Sequence, residues 1–118
     1  MASGMPVNES CVTTFNDLKL RHSCKWIIFK IDHDEIIVEK QGSGDASTLK
    51  SELPPSDCRY AVYDEGQRIH FILWSPDVAP VKPRMIYSSS KDALAKKLEG
   101  TVATTLEAHE IGDLCTLH

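Results

Sequence analysis

The sequence predicts an α/β (α+β) fold in which a central mixed sheet of about five or six strands carries helices on both faces. Segments rich in Ile, Val, Trp and Phe alternate with segments of helical periodicity, and clusters of Gly and Pro separate them. With 118 residues, 42% of them hydrophobic, the chain can form one compact domain with a core, whereas two separate domains would each be too small. We therefore expect a single domain over residues 1–118, in the order helix, hairpin, short helix, hairpin, long helix, strand.

The first helix is predicted to begin after Asn8, a residue type that caps helices, and its apolar positions are Val12, Phe15, Leu18 and Leu20. A hairpin should follow, with strands at residues 25–31 and 35–39 and a turn at 32–34. The Gly-containing stretch 41–44 should interrupt the sheet pattern.

The second half of the chain begins with a short helix, capped by Asp45 or Ser47, that must end before the prolines at 54 and 55. A second hairpin is predicted from strands at 58–63 and 69–74, joined by the five residues 64–68. The long helix should start at residues 80–82, because Pro83 is tolerated only in a first turn, and should end at Gly100. We expect a last strand at 101–106 and a short helical turn at 109–114.

The long helix concentrates positive charge. Residues 81–98 hold five of the thirteen basic residues and one acid, which gives +4, whereas the rest of the chain is 8 − 16 = −8. Placed at about 100° per residue, Ile86, Tyr87, Ala93, Leu94 and Leu98 form a core-facing stripe, with Lys97 at its edge. The outward face should carry Lys82, Arg84, Met85, Ser88, Ser89, Lys91, Asp92, Ala95 and Lys96. Its small or flexible centre and unpaired cations favour an acidic partner surface over an ordinary solvated face.

Composition argues against several functional classes. A pI near 5.7 argues against general nucleic-acid binding, and no apolar run is long enough for a membrane span. Residues 1–6 lack the features of a secretion signal, so a cytoplasmic protein is predicted. Without a signal or C-x-x-C spacing, the four cysteines, Cys11, Cys24, Cys58 and Cys115, are interpreted as reduced thiols.

No motif indicates an enzyme, a metal site or a cofactor. The five histidines are dispersed and no H-E-x-x-H, G-x-S-x-G or Walker-type motif occurs. His33, between Asp32 and Asp34, is better interpreted as a solvated turn. The glycine-containing stretch 41–45 is too short and lacks the lysine needed to bind a nucleotide phosphate.

Residues 74–94, W-S-P-D-x-A-P-V-K-x-R-M-I-Y-x-S-S-K-D-A-L, resemble the long helix and its approach in the actin-depolymerising factor/cofilin family. The opening M-A-S-G, with Val7 and the stretch 15–19, is similar to the N-terminus of that family. The resemblance covers most of the chain, to about Gly100. It implies the fold known as the ADF-homology domain, and an actin-binding protein of the cytoplasm and cytoskeleton.

The resemblance also implies an actin-binding surface. Lys82 and Arg84 match two basic contact residues, and Met85, Ser88 and Ser89 match the part that enters the cleft between actin subdomains. Lys91, Asp92 and Lys96 match positions lower on the helix, where Ala95 replaces a basic residue and Lys97 could supply the charge. Ser3 and Gly4 match terminal contacts, and phosphorylation of the serine inhibits binding in the family.

Two departures bear on filament binding. Strongly filament-binding members have a protruding basic loop in the second hairpin and a basic C-terminal helix. Here the loop carries only Arg68, and no Lys or Arg follows Lys97. The chain thus resembles the short apicomplexan members, and we expect a monomeric protein that binds ADP-actin monomers, sequesters them and promotes depolymerisation, with weak filament binding and severing. Alternatives are a module for phosphoinositide headgroups, which would use the same cations, and a protein-interaction module of this fold that does not bind actin.

Overall fold

The computed structural model describes residues 5–66, 68–98 and 102–114, with the side chains of 102–105, 111 and 114 left aside. The helices are α1 (Glu9–Arg21), α2 (Ala46–Glu52) and α3 (Val81–Lys97), and a short 3-10 turn covers Ile111–Leu114. The strands are β1 (Trp26–Asp32), β2 (Glu35–Gly42), β3 (Arg59–Asp64), β4 (Ile69–Trp74) and β5 (Val102–Ala108). They form a five-stranded sheet in the order β2-β1-β3-β4-β5.

The sheet is mixed, as expected. β1 pairs antiparallel with β2 and β3, β3 pairs antiparallel with β4, and β4 pairs parallel with β5. A parallel pair needs a crossover connection, and α3 lies within that connection. The alternating sheet side chains contribute to two cores, so helices cover both faces. One core packs α1 and α3 on Ile27, Phe29, Tyr60, Val62 and Phe71, and the other packs α2 on Ile28, Ala61, Tyr63, Ile72 and Trp74.

Two local predictions are corrected by the structure. Leu20 was expected on the buried stripe of α1 but is 73% exposed, and Cys11 is buried there instead. β2 was expected to end at Glu39 but continues to Gly42, which pairs with Trp26. The indole ring of Trp26 occupies the space that a Cβ on Gly42 would need, so this glycine extends the strand rather than interrupting it.

The remaining turns lie where the sequence predicts them, although Asp32 belongs to β1 and not to the β1–β2 turn. Asn8 caps α1 by accepting a hydrogen bond from the Ser10 N–H at 2.9 Å, and Asp45, not Ser47, caps α2. His33 and Asp34 have positive φ in the β1–β2 turn, and the His33 side chain is 93% exposed. The β3–β4 connection is one residue shorter than expected, because Asp64 is the last residue of β3.

Tyr87 fastens α3 to the sheet. β3 pairs with β1 only from Trp26 to Phe29, and beyond that point the N–H of Ile31 donates to the Tyr87 hydroxyl at 2.8 Å. The hydroxyl of Tyr60 donates to the Tyr87 carbonyl oxygen, and the two rings lie 5.0 Å apart. Burial raises the pKa of both phenols, so they remain neutral donors and acceptors at ordinary pH.

We predict that Tyr87→Phe destabilises the fold. It would leave the Ile31 N–H without its hydrogen-bond acceptor in a site where Tyr87 is buried, at a cost of about 1–3 kcal/mol. Urea unfolding followed by circular dichroism measures the change. Ser88→Ala, at the exposed neighbouring position, is the control and should lie within about 0.5 kcal/mol of the wild type. Equal stability of Tyr87→Phe and wild type would contradict this role.

Candidate actin-binding site

α3 is positioned by what precedes it and by its buried side. The Ala79 N–H donates to the Pro76 carbonyl at 2.9 Å, which closes the turn before the helix. Pro83 lies in the first helical turn, where an N–H has no intrahelical acceptor. The stripe of Tyr87, Ser90, Leu94 and Leu98 is buried, so the opposite side of the helix must face solvent.

The exposed side of α3 largely matches the expectation. Met85 is 65% exposed, and Lys82, Ser88, Ser89, Asp92, Lys96 and Lys97 are exposed as well, while Arg84 and Lys91 are half-buried. Ala95 was expected to face outward, but it is partly buried and packs against the core cluster that contains Tyr87 and Leu94. At about 100° per residue it lies on the side of the helix next to Tyr87. Ile86 and Ala93, expected in the core, are only half-buried.

Within the described residues, three grooves that lie beside α3 contain most of the predicted site residues. The first, which we call the Met85 groove, has a volume of about 430 Å³ and lies between the first half of α3 and the end of β5. Its lining includes Arg84, Met85, Ser88 and Ser89, all predicted site residues, together with His109. The structure therefore brings the apolar and hydroxyl centre of the predicted surface into one concave site.

The second groove, the Met5 groove, has a volume of about 570 Å³ and lies between residues 5–7 and the second half of α3. Asp92 and Lys96 line it, with Lys97. Two backbone hydrogen bonds with Ile36 hold residues 6–8 beside β2. Residues 5–7 thereby form one side of the groove, and α3 forms the other. Ser3 and Gly4 lie outside the described residues.

The third groove, the Lys30 groove, has a volume of about 410 Å³ and lies between the end of β1, the start of β3 and the start of α3. Lys82 is the predicted site residue that reaches it. Lys91 lines none of these three grooves. The predicted residues thus occupy one continuous side of α3 but lie in separate concavities along it.

Charge around the Met85 groove is partly balanced. Arg84 lies 4.0 Å from the Asp77 carboxylate, and its buried Nε atom has no hydrogen-bond partner among the residues that the structure describes. The Nδ1 atom of His109 is 2.8 Å from the Ser75 carbonyl oxygen and 3.9 Å from Asp77, and its Nε2 atom is 3.4 Å from Glu107. Asp77 therefore lies close to both Arg84 and His109, two residues that line the groove.

Sequence reasoning missed part of this site. Val81, 64% exposed, lines the Met85 groove, and His109 reaches this groove from the segment after β5. Val78, 74% exposed, lies beside His109 in a neighbouring concavity. The proline-bounded turn was a signal that Val78 could not be buried in a strand or helix. Nothing in the spacing of the histidines indicated that His109 would return to α3, because that depends on the parallel pairing of β5.

The described part of the chain offers no metal-binding group and no membrane span. Within it, no three His, Cys, Asp or Glu side chains converge as a metal site would require. None of the helices described is long and apolar enough to cross a bilayer. Cys11, Cys24 and Cys58 are buried free thiols, and burial raises the pKa of Cys11 to about 11.

Comparison with known proteins connects this geometry to a family. Residues 4–116 match the family model for cofilin/tropomyosin-type actin-binding proteins. The chain is 60% identical, over 99% of both chains, to actin depolymerizing factor ADF from Toxoplasma gondii. It is 46% identical to actophorin from Acanthamoeba castellanii, over 83% of this chain and 80% of that one.

The solved structure of Streptomyces griseoflavus cofilin has a TM-score of 0.87 and 38% identity, over 94% of this chain and 92% of the other. The family model, these relatives and the shared sheet topology agree with the resemblance in residues 74–94. The chain therefore belongs to the actin-depolymerising factor/cofilin family of actin-binding proteins.

Proposed function

We propose that this protein binds actin monomers through the exposed side of α3, prefers ADP-actin, sequesters the bound subunits and promotes filament depolymerisation. It acts as a stoichiometric binding protein and not as an enzyme, as a monomer in the cytoplasm with the actin cytoskeleton. The observation that carries the proposal is Met85, a large apolar residue 65% exposed on a helix whose surrounding exposed side is cationic.

The exposed side of α3 combines an apolar and hydroxyl centre with flanking cations, and the two parts have different roles in binding. Met85 and Val81 are exposed apolar side chains that can enter an apolar cleft, and Ser88 and Ser89 are small enough to let the helix approach closely. The cations Lys82, Arg84 and Lys96 flank this centre on a protein whose net charge is −4. Such cations orient an acidic partner and accelerate encounter, and they exclude partners of the same charge.

Weak filament binding follows from the rest of the surface. The β3–β4 connection adds only Arg68 as a cation, and the end of β5 and the segment after it present the exposed acids Glu107, Glu110 and Asp113. A filament offers a second subunit whose contact, in the basic members of the family, depends on cations in these two places. Without them, affinity rests on α3 and the N-terminus.

The first prediction concerns the cations of α3. Lys82→Ala/Arg84→Ala should weaken binding to ADP-actin monomers about 30-fold or more, since removing a partly buried charge-pair partner costs about 2–5 kcal/mol. Titration of fluorescent actin monomers and pyrene-actin disassembly measure the effect. Lys25→Ala/Lys50→Ala removes the same charge from positions outside α3 and should leave both readouts unchanged.

Retained actin binding by Lys82→Ala/Arg84→Ala would refute the α3 surface. Wild-type protein that bound phosphoinositide vesicles and had no effect on actin would instead favour the lipid-binding module.

The second prediction concerns filaments. At saturating protein, we expect much less than one molecule per filament subunit in the pellet, together with a rise in unpolymerised actin in the supernatant. Co-sedimentation measures both quantities. Repeating it at several salt concentrations tests the second surface, because a surface with few cations should gain little filament affinity at low salt. Stoichiometric pelleting with undiminished filaments would contradict the monomer-biased part of the proposal and leave actin binding intact.

The third prediction concerns Ser3, a family phosphorylation site. A phosphate adds about −1.5 to −2 charges, which an acidic partner would repel. Ser3→Glu should therefore bind actin monomers more weakly, whereas Ser3→Ala should match the wild type. Monomer titration of both variants tests the idea, and full affinity of Ser3→Glu would count against regulation at this position.

A further inference from the structure

We infer that the actin-binding surface extends off α3 into the Lys30 groove, where Lys30 on β1 and Lys82 on α3 together receive an acidic side chain of the actin subunit. The inference rests on the proposed function and adds a contact residue to it. Lys30 belongs to none of the motifs that identify the family, and only the fold brings it beside α3.

The lining of the groove combines an apolar floor with charged walls. Ile31, Pro83, Ile86 and Tyr87 supply the apolar part, and Lys30, Lys82, Arg59 and Asp57 supply the charges. Ile86 was expected in the core, and its half-burial is explained by this concavity. An acidic residue with an apolar neighbour suits such a lining better than a fully polar ligand does.

Arg59 is not available to a partner. Its Nε atom donates to Glu39 at 2.8 Å, and its Nη1 atom lies 2.6 Å from the Cys58 carbonyl oxygen and 3.1 Å from the Asp57 carboxylate. The hydrogen bond from Arg59 lowers the pKa of Glu39, as expected for a carboxylate held in its charged form. With Glu39 and Asp57 paired to it, this guanidinium forms a wall of the groove rather than a docking point.

Lys30 and Lys82 are different. Each lines the groove, and neither forms an ion pair within the residues described, although Lys30 is near enough to Glu39 to help lower the pKa of that carboxyl. Both ammonium groups are therefore available for a carboxylate from outside. Lys82 is exposed and Lys30 half-buried, so a carboxylate between them would lose less of its attraction to solvent screening than one at an open surface.

The start of α3 adds a second source of positive potential. Pro80 occupies the N-cap position, which leaves the helix without a side-chain cap, and its first turn contains no acid. Unpaired N–H groups at a helix start favour a negative group nearby. Lys82 and Pro83 of this first turn line the Lys30 groove, so the start of the helix lies beside it.

The two sides of the groove are held at a fixed spacing. The hydrogen bond from the Ile31 N–H to the Tyr87 hydroxyl connects the β1 side directly to the α3 side. A site whose walls are already tied together loses little conformational entropy when a partner binds. The backbone positions of Lys30, on the sheet, and Lys82, on the helix, therefore keep a constant separation, and the two side chains reach a docking subunit from different sides of the groove.

The decisive experiment compares two lysines of the same part of the chain. Lys30→Ala should weaken binding to ADP-actin monomers by about 3- to 10-fold, and Lys30→Glu by more than about 30-fold. Lys25 is exposed and lies just before β1, at the end of the strand opposite to Lys30. Lys25→Ala and Lys25→Glu should therefore leave the affinity for ADP-actin monomers unchanged. Urea unfolding of each variant confirms the fold, and if Lys30→Glu is unstable, Lys30→Ala and Lys30→Gln provide the comparison.

A zero-length cross-link gives a readout that a structural role of Lys30 would not produce. Carbodiimide treatment of the wild-type complex joins a lysine amine to a contacting carboxylate, and peptide mapping should find Lys30 and Lys82, but not Lys25, attached to actin. If the Lys30 variants and the cross-links match those of Lys25 while Lys82→Ala/Arg84→Ala loses binding, the extension is wrong and the α3 surface stands. If Lys82→Ala/Arg84→Ala also binds normally, the proposed function fails first.

Discussion

The structure depends on how α3 is fastened where the sheet becomes irregular. β1 runs further than β3, and past Phe29 its Ile31 N–H has no partner on that strand. The Tyr87 hydroxyl accepts this hydrogen bond, while the Tyr60 hydroxyl donates to the Tyr87 backbone carbonyl. One side chain thereby completes the sheet, anchors the helix and sets its rotation. The helix backbone fixes the position of every exposed α3 residue relative to Tyr87. The hydrogen bonds of Tyr87 therefore determine how the candidate binding surface is oriented on the sheet.

Ion pairs are distributed unevenly between α3 and the rest of the described protein. Acids elsewhere in the protein are often paired locally, as Glu39 and Asp57 are with Arg59, and Glu52 is with Lys40. Along α3 the structure records one ion pair among the described residues, the 4.0 Å approach of Arg84 to Asp77. Local pairs would lower the energy of the isolated protein only slightly, since exposed pairs contribute about 0–1 kcal/mol. Leaving the cations unpaired costs little in stability and retains their attraction for an acidic partner.

Much of the fold could be predicted from the sequence, because local signals agreed with one another. Proline at 80 and 83 located the start of α3, and Asn8 marked the start of α1. The errors arose where packing overruled periodicity: Gly42 continues a strand because the Trp26 ring lies against it, and Ala95 turns inward beside the core. Of the site, the residues on α3 were predictable, since a helix places them on one side. The positions of Lys30 and His109 beside α3 were not, because only strand order and register bring them there.

The candidate surface combines residues that α3 itself presents with residues that other elements bring to it. Because the helix has a fixed rotation, Met85, Ser88 and Ser89 lie together on its exposed side. Residues that approach it from other elements, such as Lys30 from β1 and His109 from beyond β5, can change without disturbing the core, because both are at least partly exposed. On the proposed α3 surface, substitutions at these flanking positions can therefore adjust affinity and specificity while the helix and its tyrosine anchor remain unchanged.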